Sequence, residues 1–132
     1  MRKEPFDLRS TKVAEPGWAK KYCLNRLSEF RNIESVFHHL IKDGGIGGDI
    51  EWGIHRWDEN TETDFEVGKF EGYRYYVGEL EHGIQGRGDI EEFSSDEELK
   101  DSLSLLAKLY IETHSGDLVK IKKLVKELNI PF

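Results

Sequence analysis

Apolar residues in this chain keep two different spacings, and that alternation restricts the possible folds more than anything else in its 132 residues. Leu27, Phe30, Phe37, Leu40 and Ile41 fall near the three-to-four interval of one helix face. Ile50, Trp52 and Ile54 instead alternate, the pattern of a half-buried strand. Leu99, Leu103, Leu106 and Tyr110 return to helical spacing, with Ser102, Leu105 and Leu109 beside them. Leu118, Ile121, Leu124, Val125 and Leu128 repeat it. Helix, then strands, then helices is the order of an α+β domain with an antiparallel sheet.

Turn residues set the boundaries. Pro16 suits a helix start and Gly44-Gly45 lies past its end, which predicts one helix over 17–41. Residues 1–16 read as an arm whose Phe6 and Leu8 tuck against the body. Four glycines within Gly44–Gly48 predict a flexible turn. A sheet of about four strands is expected over 50–93. It takes in Ile50–Trp57, the segment around Phe65 and Val67, Tyr73–Val77 and Asp89–Phe93. The polar stretch Asp58–Thr63 reads as a loop, and so does the glycine-rich Leu80–Gly88. Gly72 is placed to take the positive φ of a tight hairpin. Tyr73, Tyr75 and Val77 should point one way and Tyr76 the other. Ser95-Asp96-Glu97-Glu98 is a capping box, with Ser95 as N-cap and Glu98 reaching back, and it opens a helix over 95–113. Asp117 caps a last helix over 117–129, which Pro131 stops. No repeat or linker divides the chain, so a single domain over 1–132 is expected.

The charge is segregated. Residues 49–101 hold 17 acids against 5 bases, whereas 1–48 hold 6 against 9 and 102–132 hold 3 against 5. The whole chain is −7. An acidic middle argues against nucleic-acid binding, which leaves a basic footprint. It favours a cationic protein partner, because a field of one sign speeds encounter with the opposite sign. Trp52, Trp57, Tyr73, Tyr75 and Tyr76 share that segment and offer ring anchors. No run approaches the roughly 18 apolar residues of a membrane helix. Met1–Asp7 has basic residues without an apolar run behind them, so no secretory signal is predicted and a cytoplasmic setting is expected. Cys23 is the only cysteine, which excludes an internal disulfide and predicts a small buried thiol.

Candidate chemistry is sparse, and no cofactor or metal is expected. His38 and His39 point about 100° apart on a helix and do not share an ion readily. His55 and His82 with nearby glutamates, or Glu79 with Glu81, could build a site, but no base or nucleophile motif supports one. His82–Asp89 carries spaced glycines and Arg87 without the lysine and Ser/Thr of a phosphate loop. It reads as a mobile loop whose Arg87 orients a partner. Lys120, Lys122, Lys123 and Lys126 read as the solvated side of the last helix.

An acidic domain with a Trp/Tyr-rich sheet, followed by Phe93-Ser94-Ser95-Asp96-Glu97-Glu98-Leu99 opening a helix, resembles immunity proteins of polymorphic and contact-dependent toxin systems. The similar stretch covers about residues 50–113. The resemblance implies a cytoplasmic, non-enzymatic protein that neutralises one cognate toxin, commonly a nuclease with a basic cleft. It assigns no residue by itself. The charge map assigns the contact to Trp57, Asp58, Glu59, Glu62, Asp64, Tyr76, Glu79, Glu81 and Arg87, in a monomer or weak homodimer. The alternatives are a small hydrolase or ligand-binding enzyme using His82 with Glu79 or Glu81, and a structural subunit that dimerises.

Overall fold

The computed structural model describes residues 6, 8, 12, 13, 15–49, 51–57 and 68–132, with only the backbone for 47–49. The architecture is α+β. A four-stranded antiparallel sheet in the order β1-β2-β3-β4 carries helices packed on one face. The elements are α1 (Trp18–Leu27), α2 (Ile33–Ile41), β1 (Gly45–Asp49), β2 (Trp52–His55), β3 (Tyr73–Val77), the single turn α3 (Glu79–His82), β4 (Ile90–Ser94), α4 (Asp96–Thr113) and α5 (Leu118–Glu127). A 3-10 turn at Ser115–Asp117 joins the last two.

The helix predicted over 17–41 is two helices. Asn32 is extended, and its Oδ1 accepts the Ser35 N–H at 3.0 Å, so it caps α2. A side chain that caps a new helix competes with continuation of the old one, and apolar spacing does not register that competition. The glycine segment differs too. Gly45–Asp49 is a strand, paired Gly45 to His55 and Ile46 to Ile54, with a register shift before Asp49 meets Trp52. A Cβ on Gly45 would lie 2.8 Å from the His55 Cβ. Glycine there permits a close approach of edge strand to neighbour and does not signal a turn. Ile50, Phe65 and Val67 lie outside the described residues.

On β3 the alternation holds. Tyr73, Tyr75 and Val77 face the helices, where the Tyr73 hydroxyl donates to the Leu40 carbonyl at 2.9 Å and Tyr75 meets Ser94 Oγ at 2.8 Å. Together with Trp52, Ile54, Phe37, Leu40, Leu99, Leu103 and Ile121 they form one contiguous core. Phe6 and Leu8 pack against it, and Asn25 holds Phe6 by both its backbone N–H and its carbonyl. Gly72 does take a positive φ (+77°), but the reason is long-range, since a Cβ would overlap the Ser94 carbonyl oxygen.

α1 has no capping side chain of its own. Its N-cap is Gly17 in the left-handed region (φ +91°), and the cap comes from β4. Glu92 Oε2 accepts the Gly17 N–H at 2.5 Å, and Oε1 accepts the Lys20 N–H at 3.0 Å. A carboxylate at this end satisfies orphan donors and meets the positive pole of the helix. The capping box is half of what the sequence predicts. Ser95 Oγ accepts the Glu98 N–H at 3.1 Å, but the Glu98 carboxylate bonds Lys20 Nζ at 3.0 Å and does not return to Ser95. At α5, Asp117 likewise gives its carboxylate to the Tyr110 hydroxyl at 2.7 Å and makes no side-chain cap.

Glu92→Ala is expected to lower stability by about 1–2 kcal/mol, the usual cost of a lost cap. Glu92→Gln, which keeps an acceptor, should lose less. Denaturant midpoints of the two variants check the order, and equal losses would reject the capping role.

Candidate functional site

Between β3 and β4 the chain must turn back through Gly78–Asp89. Gly83, Gly86 and Gly88 take φ values of +78°, +80° and +73°, a region that side-chain-bearing residues avoid. A loop so rich in glycine is loose unless something outside its own backbone holds it. Two side chains of α3 do so. His82 is buried, with Nε2 2.6 Å from the Gly88 carbonyl and Nδ1 3.0 Å from the Ile84 N–H. Glu79 accepts the Gly86 N–H at 2.5 Å on one oxygen and the Gly88 N–H at 3.3 Å on the other. An amide can only donate and a carbonyl only accept, so this pair of contacts fits the ring tautomer that carries its hydrogen on Nε2. The converging N–H groups make an anion-binding nest, and Glu79 already fills it.

Glu81, the third functional group of the turn, goes the other way. It accepts from the Tyr22 hydroxyl and from Arg26 Nη1 at 3.2 Å, joining α3 to α1. Trp18 stacks on Tyr22 with ring centroids 5.0 Å apart. Burial, and then the bond to Glu81, pushes the Tyr22 hydroxyl up to about 12. At the next residue of α1, burial pushes the Cys23 thiol up to about 12, with Sγ against the Gly53 and Tyr76 carbonyls at 3.6 and 3.4 Å.

The buttressed turn presents Leu80, 85% exposed, and Ile84, 38% exposed, next to exposed Gln85 and Arg87. Of the residues predicted from sequence, the structure brings Glu79, Glu81 and Arg87 into this one turn. Glu79 and Glu81 are turned inward as supports and do not form an anionic face. Tyr76 is not a surface anchor either. It is 5% exposed, with its ring laid across Gly53, where a Cβ would come within 2.8 Å of Cε1. The Arg74 guanidinium covers that ring at 4.8 Å, while bonding Glu91 at 2.6 Å and Asp89 at 3.5 Å. Trp57 is half-buried beneath Lys69, whose Nζ lies 5.5 Å from the ring centroid. Asp58, Glu59, Glu62 and Asp64 lie outside the described residues.

The mobile glycine loop expected from sequence is therefore a pinned one, and Leu80 and Ile84 are surface residues that the reading missed. Their signal was present as two apolar residues four apart within a stretch too glycine-rich to bury them. His82, Glu79 and Glu81, the residues of the hydrolase alternative, bond the Gly88 carbonyl and Ile84 amide, the Gly86 and Gly88 amides, and Tyr22 with Arg26, respectively. Among the described residues no cluster of three or more His, Cys, Asp or Glu could hold a metal ion, and no helix is long and apolar enough to cross a membrane. No protein-family model matches the chain, and neither does any curated protein.

The raised groups on α1 predict alkaline unfolding. Folded, Cys23 and Tyr22 keep their protons to about 12, whereas unfolded they release them near 9.0 and 10.0. The unfolded chain binds fewer protons across that window, so stability is complete below about pH 9 and falls as pH rises toward 12. Denaturation midpoints across that range check the slope. Cys23 should also resist thiol reagents until the protein unfolds, and rapid labelling of the native state would contradict its burial.

Proposed function

We propose that this protein is a non-enzymatic inhibitor of the immunity type, which binds and neutralises a cognate toxin and docks it through the pinned turn 79–89. The observation that carries the reading is the pairing of rigidity with exposure. Two buttressing side chains hold a loop whose outward residues are Leu80, Ile84 and Arg87. A loop fixed before association loses little conformational entropy on binding, and beside its exposed apolar residues stands Arg87, a residue type enriched at hot spots. Both ring nitrogens of His82 are spent on that scaffold, which favours a binding role over a catalytic one.

Charge gives the second support. The segment 49–101 carries 17 acids against 5 bases, and pairing of some of these carboxylates with backbone amides leaves their formal charge in place. A toxin with a basic cleft, such as a nuclease, is the partner that this field and the resemblance to immunity proteins both favour. Leu80 and Ile84 would enter an apolar recess beside the cleft, and the anionic field would steer the encounter. Cytoplasmic action as a monomer or weak homodimer belongs to the same reading.

The test uses the product of the neighbouring reading frame as the presumed toxin. Leu80→Asp and Arg87→Glu should each weaken its binding at least about tenfold in calorimetry and impair protection of growing cells, with thermal midpoints unchanged. Lys108→Ala, on the outer side of α4, should change neither. Association should slow as salt rises. Full protection by both variants would remove the turn from the interface, and an association rate insensitive to salt would remove the electrostatic part.

A further inference from the structure

We infer that His82 is a proton-operated latch, which keeps the 83–88 loop in its docking shape when neutral and releases it when protonated. The inference rests on the docking role proposed for this turn, and adds its regulation. The geometry admits only one tautomer, because Nδ1 must receive a hydrogen from Ile84 while Nε2 donates one to Gly88. Protonation puts a second hydrogen on Nδ1, aimed at the hydrogen of the Ile84 amide 3.0 Å away. An imidazolium has no acceptor, so that bond cannot survive. The ring must swing out or the loop must move.

The charged groups near the latch have partners of their own. On the turn itself, Glu79 is committed to the Gly86 and Gly88 amides and Glu81 to Tyr22 and Arg26. From α1, Arg26 reaches Glu81 of the same turn at 3.2 Å. At the start of β4, Asp89 pairs with Arg74 of β3. In the loop, Arg87 is a second cation, exposed to solvent. Among the described residues no carboxylate forms an ion pair with His82, in contrast to exposed His39, which pairs with Asp43 at 2.8 Å. An imidazolium at position 82 would gain no counter-ion in place and would lose one of its two bonds. Release then costs the loop one of its two clamps, and Leu80 and Ile84 lose their fixed relation.

The latch is read in the free, full-length protein. Amide exchange is measured at about pH 7.5 and about pH 5.5, corrected for the intrinsic pH dependence of exchange, while NMR follows the His82 ring nitrogens. Expected are an Nε2–H tautomer at the higher pH and, as the ring protonates, at least about a tenfold loss of protection at Ile84. His82→Asn should abolish the pH dependence, and Glu79→Gln should keep it. Protonation of His82 without loss of protection at Ile84 would overturn the proposal, as would a pH dependence that survives His82→Asn or disappears in Glu79→Gln. If His82→Asn does not fold, coincidence of ring protonation with loss of protection in the unaltered protein decides the matter. Toxin binding is measured separately across the same pH range. Opening of the latch with undiminished binding supports the latch and removes the turn from the docking surface. Protection independent of pH overturns the latch whatever the toxin does.

Discussion

The carboxylate of Glu92 on β4 holds the first helix against the sheet, and much of the remaining structure follows from that attachment. Gly17 offers no capping side chain, so α1 would begin with unsatisfied amides unless a tertiary partner reached it. Glu92 provides both oxygens, which sets the axial position of α1 on the sheet. At that setting Cys23 comes to rest on the Gly53 and Tyr76 carbonyls, where only a small side chain fits between helix and strand. Tyr22 and Arg26, one helical turn apart, then reach Glu81 and fix α3. The loop that α3 grips is therefore tied to the sheet twice, through the chain itself and through α1.

The same logic accounts for the acids. Seventeen carboxylates within 53 residues look like an unopposed field when counted along the sequence. In space, Glu81, Glu91, Asp96 and Glu98 meet Arg26, Arg74, Arg56 and Lys20, while Glu79 and Glu92 meet backbone amides. Pairing with an amide leaves the formal charge intact, so the segment stays anionic while its carboxylates are held in place. Arg74 is the extreme case. At 2% exposure it carries Glu91, Asp89 and the Tyr76 ring, and removing any of these would leave a buried cation short of partners.

What the sequence made legible was whatever short-range physics decides. The alternation of Tyr73, Arg74, Tyr75 and Tyr76 follows from the strand period, and Ser95 as an N-cap follows from its own side chain and an amide three residues on. What stayed illegible was decided across the fold. Asn32 interrupts an apolar run that looks continuous, because a cap is a local choice that periodicity averages away. Gly45 reads as a turn residue until its distance to His55 is known. Glu98 satisfies the capping-box pattern, yet Lys20 of another helix takes its carboxylate. Glu79 and Glu81, expected from their charge to face outward, spend their carboxylates within the fold, on the Gly86 and Gly88 amides and on Tyr22 and Arg26.

That inversion bears on how such a site can be selected. If the anionic side chains were themselves the contact, each could drift to a neighbouring position with little loss, because a field is the sum of many charges. A scaffold is less forgiving. Glu79 must reach two amides from one helical turn, and His82 must reach a carbonyl and an amide from the same turn, three residues later. Gly83, Gly86 and Gly88 must hold positive φ for those amides and carbonyls to converge. The Leu80 and Ile84 side chains inherit their positions from these constraints, Leu80 largely solvated and Ile84 partly so. The residues that shape the turn and the residues that would touch a partner are thus different sets. The second set can change to suit a new partner while the first stays fixed, which is the division of labour expected of a binding loop on a rigid scaffold.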